Sequence, residues 1–170
     1  MFADMIDESP ASTPWHEPEQ TEALLRMMTP VNAAKVEAAK RAGIRKVGAV
    51  YKRTRTGPDG KRVRAEVRFD EVAGCLRTPS GGSSRQTILV VDGLQVKSRL
   101  LCTREAARLM GLPDDYTLPR SYNEAYHLVG DGVAVPVVRH LAIRLFEPLL
   151  KACDYNEQVP GTGWNAESTT

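Results

Sequence analysis

Three cysteines, three histidines and a dense set of arginines are the residues of this chain whose types and spacing could carry chemistry. Cys75, Cys102 and Cys153 are odd in number and show no Cys-x-x-Cys spacing, which argues against both a disulfide framework and a zinc site. His16, His127 and His140 are scattered and add no ligand set, so no metal site is expected. The arginines carry more information. From Arg45 to Arg68 there are nine basic residues against two acidic ones, a local charge of +7, while the rest of the chain carries −5. Positive charge gathered in this way suits either a solvated hairpin face or contact with a polyanion. A second stretch follows, Ala73-Gly74-Cys75-Leu76-Arg77-Thr78-Pro79-Ser80-Gly81-Gly82-Ser83-Ser84-Arg85-Gln86. Its glycines would let backbone amides approach phosphates and base edges, and its hydroxyls are short donors and acceptors. Arg85 and Gln86 have the forks for bidentate contact with guanine and adenine. By composition alone the same stretch is an ordinary flexible loop.

These groups must be held by elements that the apolar pattern reveals. With 170 residues, 42% hydrophobic and 26% charged, the chain has the makeup of a soluble globular domain, and no apolar run approaches a membrane span. The first residues are acidic and contain Pro, Ser and Thr, unlike a secretory signal, so a cytoplasmic location is expected. Leu24, Leu25 and Met28 fit a short amphipathic helix over 18–28, and Thr29-Pro30 opens a second over 30–41 with Gly43 at its end. Val47, Ala49 and Tyr51, then Gly57-Pro58-Asp59-Gly60, then Val63, Ala65, Val67 and Phe69 read as a β-hairpin. Alternation puts Lys52 opposite Tyr51, and Arg62, Arg64 and Arg68 opposite the apolar set, so these cations are expected to share an exposed face. Strands over 87–91 and 94–100 meet across Asp92-Gly93. Thr103 caps a helix over 104–110. Ser121 and Glu124 form a capping box for a helix through Val129. A last helix starts near Pro136, buries Val137, Val138, Leu141, Ile143 and Leu145 on one side, and is kinked or ended by Pro148. The fold class is α+β, a small mostly antiparallel β region flanked by N-terminal helices and a C-terminal helical segment.

Two stretches go beyond composition. Arg99-Leu100-Leu101-Cys102-Thr103-Arg104-Glu105-Ala106-Ala107-Arg108-Leu109-Met110-Gly111-Leu112-Pro113-Asp114-Asp115-Tyr116 resembles the ninth conserved block of the cytosine-5 DNA methyltransferases. Asn123-Glu124-Ala125-Tyr126-His127-Leu128-Val129-Gly130-Asp131-Gly132-Val133-Ala134-Val135-Pro136-Val137-Val138 is similar to the tenth, in the family's order and spacing. The Gly-Gly stretch upstream resembles the loop that closes the family's target-recognition region. The resemblance covers roughly residues 45–147. Composition, with little apolar periodicity, makes flexible tails of 1–16 and 153–170, and the resemblance implies a target-recognition region over 17–101 and a C-terminal helical segment with both blocks over 102–152. It implies double-stranded DNA as partner, contacted by Arg53, Arg55, Arg62, Arg64, Arg77, Thr78, Ser80, Gly81, Gly82, Ser83, Ser84, Arg85 and Gln86.

The resemblance also defines what is missing. In this family a cysteine thiolate in a Pro-Cys dipeptide attacks carbon 6 of a flipped-out cytosine, and carbon 5 takes a methyl group from S-adenosylmethionine. No cysteine here follows a proline. No catalytic residue is therefore expected in this chain. The Glu-Asn-Val, the Gly-rich donor-binding turn and the Gln-Arg-x-Arg block have no counterpart either, and Arg53-Thr54-Arg55 is a poor substitute for the last. Gly130, Asp131 and Gly132 map near the methionine end of the donor, with Asp131 where Asn is usual, so its carboxylate would have to meet the donor's ammonium. The leading expectation is a C-terminal DNA-reading part of a methyltransferase, inactive alone, that needs a catalytic chain or a missing upstream domain. A free-standing DNA-binding module is the alternative. A remnant unable to fold would expose an apolar face on its last helix and aggregate.

Overall fold

Small and β-branched residues at alternate positions build one antiparallel sheet of order β2-β1-β3-β4, from β1 (Lys46–Gly57), β2 (Gly60–Arg68), β3 (Thr87–Asp92) and β4 (Gln95–Leu100). The computed structural model describes residues 1–10, 12–57, 60–76 and 85–158, with 154–158 described by backbone alone. The α+β class holds. β3 is buried on both faces: Ile88 and Val90 enter one apolar cluster, Leu89 and Val91 the other. Such a strand reads as a continuous apolar run, which is what 87–91 is. β3 and β4 join through Gly93-Leu94, since Asp92 pairs with Gln95, so the turn lies one residue beyond the expected Asp92-Gly93. Gly93 has φ +55°, the left-handed conformation that a two-residue hairpin loop requires.

Helices cover both faces of the sheet. On one side α1 (Pro18–Arg26) and α2 (Pro30–Arg41) place Leu24, Val36 and Ala39 against Val50, Ala65 and Val67. They also finish the edge strand β2. The Val67 amide donates to Asn32 Oδ1 (3.1 Å), Lys35 Nζ donates to the Val67 carbonyl (3.1 Å), and the Ala65 amide donates to the Met27 carbonyl (3.1 Å). Covering an edge in this way removes a row of unpaired backbone groups.

The other face meets α3 (Thr103–Leu109), α4 (Tyr122–Asp131) and a 3₁₀ turn at Phe2–Met5. Phe2 and Ile6 are buried there, so this stretch is packed rather than the tail expected from its composition. Its anchor is an ion pair. Arg99 on β4 and Glu105 on α3, both fully buried, join through N–H···O bonds of 2.8 and 2.5 Å. Arg99 also donates to the Asp7 carbonyl (2.6 Å), and Glu105 accepts from the Asp7 and Cys102 amides (2.8 Å each). Trp15 closes the assembly, with the Arg99 guanidinium 4.8 Å from its ring centre. The N-cap of α3 is Cys102, not Thr103: its sulfur accepts from the Glu105 amide (3.4 Å).

The chain divides into a unit Met1–Gly132 and a second unit Val133–Thr170. From Val135 on, the described residues of the second form one unbroken helical run: α5 (Val135–Leu141), a π turn (Ala142–Phe146) and α6 (Glu147–Gln158). Pro148 neither ends it nor stops it; the π turn just upstream makes room for a ring that lacks an N–H and would meet the carbonyl one turn back. The expected burial fails here. Val137, Val138, Leu141, Ile143 and Leu145 are all exposed, as are Phe146, Leu149 and Leu150. Among the described residues no helix is long and apolar enough to cross a membrane.

Candidate nucleic-acid interface

Register decides which arginines share a face. β1 pairs β3 only as far as Val50, so beyond that point β1 and β2 form a two-stranded ribbon whose residues are largely exposed. Across it Tyr51 faces Glu66, Arg53 faces Arg64, Thr54 faces Val63 and Arg55 faces Arg62. Directly paired residues point to the same side. Tyr51, Arg53, Arg55, Arg62, Arg64 and Glu66 thus line one face. Lys52, paired with Ala65, lies on the other, contrary to the expectation that it joins Arg62 and Arg64. The carboxylate organises the cluster. Glu66 accepts from Arg55 (2.5 and 3.0 Å) and lies 3.7 Å from Arg53, whose guanidinium sits 5.8 Å from the Tyr51 ring centre. Arg68 is tied to Asp70 instead, which raises its pKa through that hydrogen bond and lowers that of the acid. The Tyr51 hydroxyl donates to the Ala73 carbonyl, and a Cβ on Gly74 (φ +76°) would overlap that hydroxyl, so only glycine fits here.

Of the loop residues expected to read DNA, Arg77, Thr78, Ser80, Gly81, Gly82, Ser83 and Ser84 lie outside the described residues. Arg85 and Gln86 emerge from that stretch and part company. Arg85 donates to the Asn123 carboxamide and lies over Tyr122, its guanidinium 5.1 Å from the ring centre. Gln86 turns inward and is only 4% exposed. Its amide donates to the Tyr126 hydroxyl (3.3 Å), while neither atom of its side-chain carboxamide finds a partner. In this conformation Gln86 offers nothing to a base edge. Sequence reasoning missed Tyr122 and Tyr126, which stack at 5.7 Å and brace this junction; the Tyr122 hydroxyl donates to the Leu101 carbonyl (2.8 Å). Burial raises both phenols' pKa. The available signal was their spacing of four on a helix.

The arginines of the ninth-block stretch are held by partners within the chain. Arg104 donates to the Pro113 and Tyr116 carbonyls (3.3 and 2.9 Å), and Arg108 holds Asp114 and Asp7 (2.6 and 2.7 Å). They hold the turn after Gly111, itself at φ +79°, against α3. Cys102 is buried and its thiol is pushed up to about 11, burial being the main cause; Cys75 and Cys153 are exposed. Asp7, Cys102 and Glu105 come close together, but the Arg99 guanidinium occupies the two Glu105 oxygens and disfavours a cation. Gly130, Asp131 and Gly132 end α4 and its cap, where a Cβ on Gly132 would stand 3.2 Å from the Leu128 carbonyl oxygen. The closeness of Gly132 to that carbonyl is thus explained by the helix end.

The chain belongs to the C-5 cytosine-specific DNA methylase family, whose model matches residues 5–147. The DNA (cytosine-5)-methyltransferase CMT2 of Oryza sativa subsp. japonica is 37% identical over 95 residues, 55% of this chain and 7% of that protein. The type II methyltransferase M1.ScrFI of Lactococcus lactis subsp. cremoris is 34% identical over 64 residues, 38% of this chain and 16% of that protein. The type II methyltransferase M.MspI of Moraxella sp is 35% identical over 78 residues, 46% of this chain and 18% of that protein. The chain thus spans less than a fifth of the length of these relatives. No solved structure matches it.

Proposed function

We propose that this chain is the C-terminal, DNA-reading part of a cytoplasmic cytosine-5 DNA methyltransferase and works with a catalytic part that carries the Pro-Cys nucleophile and most of the donor pocket. The observation that carries this is the second unit. Its helical run presents Val137, Leu141, Leu145, Phe146 and Leu149 to solvent, an apolar face longer than a solitary helix keeps in water. A catalytic part would cover it. The ribbon with Arg53, Arg55, Arg62 and Arg64 and the loop over 77–84 then serve as the DNA side; a two-stranded ribbon is narrow enough for the major groove. In this reading 17–101 recognises the target and 102–152 joins the two parts.

S-adenosylmethionine, bound by the catalytic part, supplies the methyl group. From this chain Asp131 fits the donor's ammonium better than its carboxylate, and Gly130 and Gly132 contribute backbone alone. Purified alone, the chain should transfer no methyl group to cytosine DNA; mixed with a chain carrying the donor and Pro-Cys blocks, it should restore transfer. Methylation by the chain alone would overturn the proposal. A second reading, a DNA-binding module without methyl transfer, is favoured by the core of Met1–Gly132, which buries both faces of β3 within this unit. The exposed apolar face of the last helix is also what a remnant unable to fold would show; aggregation of the chain on expression would favour that reading, and a chain that stays in solution and unfolds cooperatively would overturn it. Photocrosslinking with labelled S-adenosylmethionine separates the two: labelling of the mixed complex on this chain supports a shared donor site, and its absence supports the binder.

A further inference from the structure

A cleft of about 440 Å³ opens between the N-terminal segment and the start of α4, lined by Thr13, His16, Arg85, Ser121, Tyr122 and Asn123 among others, with no carboxylate among the described residues of its walls. We propose that this cleft seats one phosphate of the DNA backbone, with Arg85 as its anchor, so that Arg85 positions the duplex instead of reading a base. The inference rests on the DNA-reading function proposed above and adds a contact and a site to it.

Three independent features converge on an anion. Thr13 is 5% exposed, lines the cleft, and its hydroxyl has no partner. Arg85 Nε is likewise enclosed and unpartnered. Orphaned buried donors of this kind are rare, and both belong to residues that line the cleft. The ten-residue α4 begins here: Ser121 is its N-cap, and the amides of Tyr122 and Asn123 lie in the first turn, where no intrahelical acceptor exists and the helix dipole favours negative charge. Arg85 is already fixed for the task. Its guanidinium is stacked on Tyr122 and tethered to Asn123, which costs little ordering when a phosphate arrives. His16 is held by Ser98 through Nδ1 (2.9 Å), and burial first, then the charge of Lys52, lowers its pKa, so it stands in the wall as a hydrogen-bonding group. The occupant is assigned to DNA because Arg85 follows directly on the loop over 77–84, and Gln86 continues into β3 beside the base of the ribbon. A phosphate contact also fits the inward turn of Gln86, which leaves sequence reading to other residues.

The test is binding of the full chain to 20-base-pair duplexes, one with cytosine target sites and one scrambled, by fluorescence anisotropy over a range of salt concentrations. Arg85→Gln should weaken both duplexes alike, by about tenfold, and lower the slope of log affinity against log salt by about one. Thr13→Val, which keeps the shape of the side chain, should weaken both by a few-fold and keeps the test open should Arg85→Gln not fold. An Arg85→Gln effect confined to one sequence, with the salt slope unchanged, would make Arg85 a base reader and overturn the phosphate seat while leaving the DNA-reading function standing. Unchanged binding in both folded variants would overturn it too. If the wild-type chain binds neither duplex, alone or with its catalytic part, the DNA-reading function itself falls.

Discussion

Replacing Arg99 by Met should be the most damaging single change in the unit Met1–Gly132. The arginine supplies two charged hydrogen bonds to Glu105 and one to the Asp7 carbonyl, all inside a fully buried cluster. Without it a carboxylate remains in the core with only two backbone amides, a loss of about 3–5 kcal/mol. Against a total stability of about 5–15 kcal/mol this is a large share, and for a unit of this size it corresponds to a fall in Tm of about 10–20 °C. Thermal and urea unfolding followed by circular dichroism would measure it. The pH dependence tests the mechanism. In the wild type burial pushes the Glu105 pKa up, but the Arg99 hydrogen bonds and the Cys102 and Asp7 amides outweigh it and hold the carboxyl below its usual 4.5. Its contribution is therefore full above about pH 4.5 and lost as pH falls through the lowered value. In Arg99→Met burial dominates and the sign reverses, so the deficit relative to wild type should shrink on acidification. Arg99→Met/Glu105→Leu should recover much of the loss. A single variant within about 1 kcal/mol of wild type, with unchanged pH dependence, would refute the reasoning.

Burial, and then the charge of Lys52, lower the His16 pKa from 6.5, so the unfolded chain takes up the proton first; stability should decline as pH falls below about 6.5, and His16→Gln should flatten that decline in a pH series of unfolding midpoints. A thiol reagent should label Cys75 and Cys153 at once and Cys102 only on unfolding, as burial raises its pKa and encloses it; fast labelling of all three in the native state would contradict the packing of α3. Phe146→Ser, at a residue 56% exposed, should change the Tm by little, within about 0.5 kcal/mol of stability, yet cut restoration of methyl transfer by the catalytic part at least about tenfold; full restoration would place the partner elsewhere.

The strands, the two N-terminal helices and α4 were legible because each is a local pattern: alternation in 47–51, the apolar run of 87–91, Thr29-Pro30 before an Ala- and Lys-rich segment. What escaped was non-local or a matter of phase. Alternation within a strand says which of its residues share a face, but the turn sets the phase between strands. Gly57 pairs with Gly60, and that register brings Arg53 and Arg55, not Lys52, beside Arg64 and Arg62. The first ten residues look like a tail because one 3₁₀ turn has no period to detect, and their partners, Arg99, Glu105 and Arg108, lie about a hundred positions away. A sulfur N-cap is weak and rarely chosen, so Thr103 was the natural reading and Cys102 the actual cap. The last helix was legible as a helix but not as an exposed one, since an apolar stripe reports the need for a partner without saying where it lies.

The residues that identify the family and those proposed to meet DNA therefore separate, and there is a physical reason. Arg99, Arg104 and Arg108 are tied to carboxylates and carbonyls within the chain. A guanidinium taken out of water must have such partners, so each of these positions is fixed by several neighbours at once, and their spacing stays recognisable in a single sequence. On the ribbon beyond Val50 no such requirement acts. Arg53, Arg55 and Arg62 are exposed and Arg64 is half-buried, Glu66 meets Arg53 and Arg55, and the spacing of these cations can follow the DNA they are proposed to meet. Arg85 stands between the two regimes, half-buried and held by protein on one side with an unpartnered Nε on the other. A side chain that is fixed by the fold yet not satisfied by it is the place where a rigid scaffold can hand its geometry to a ligand.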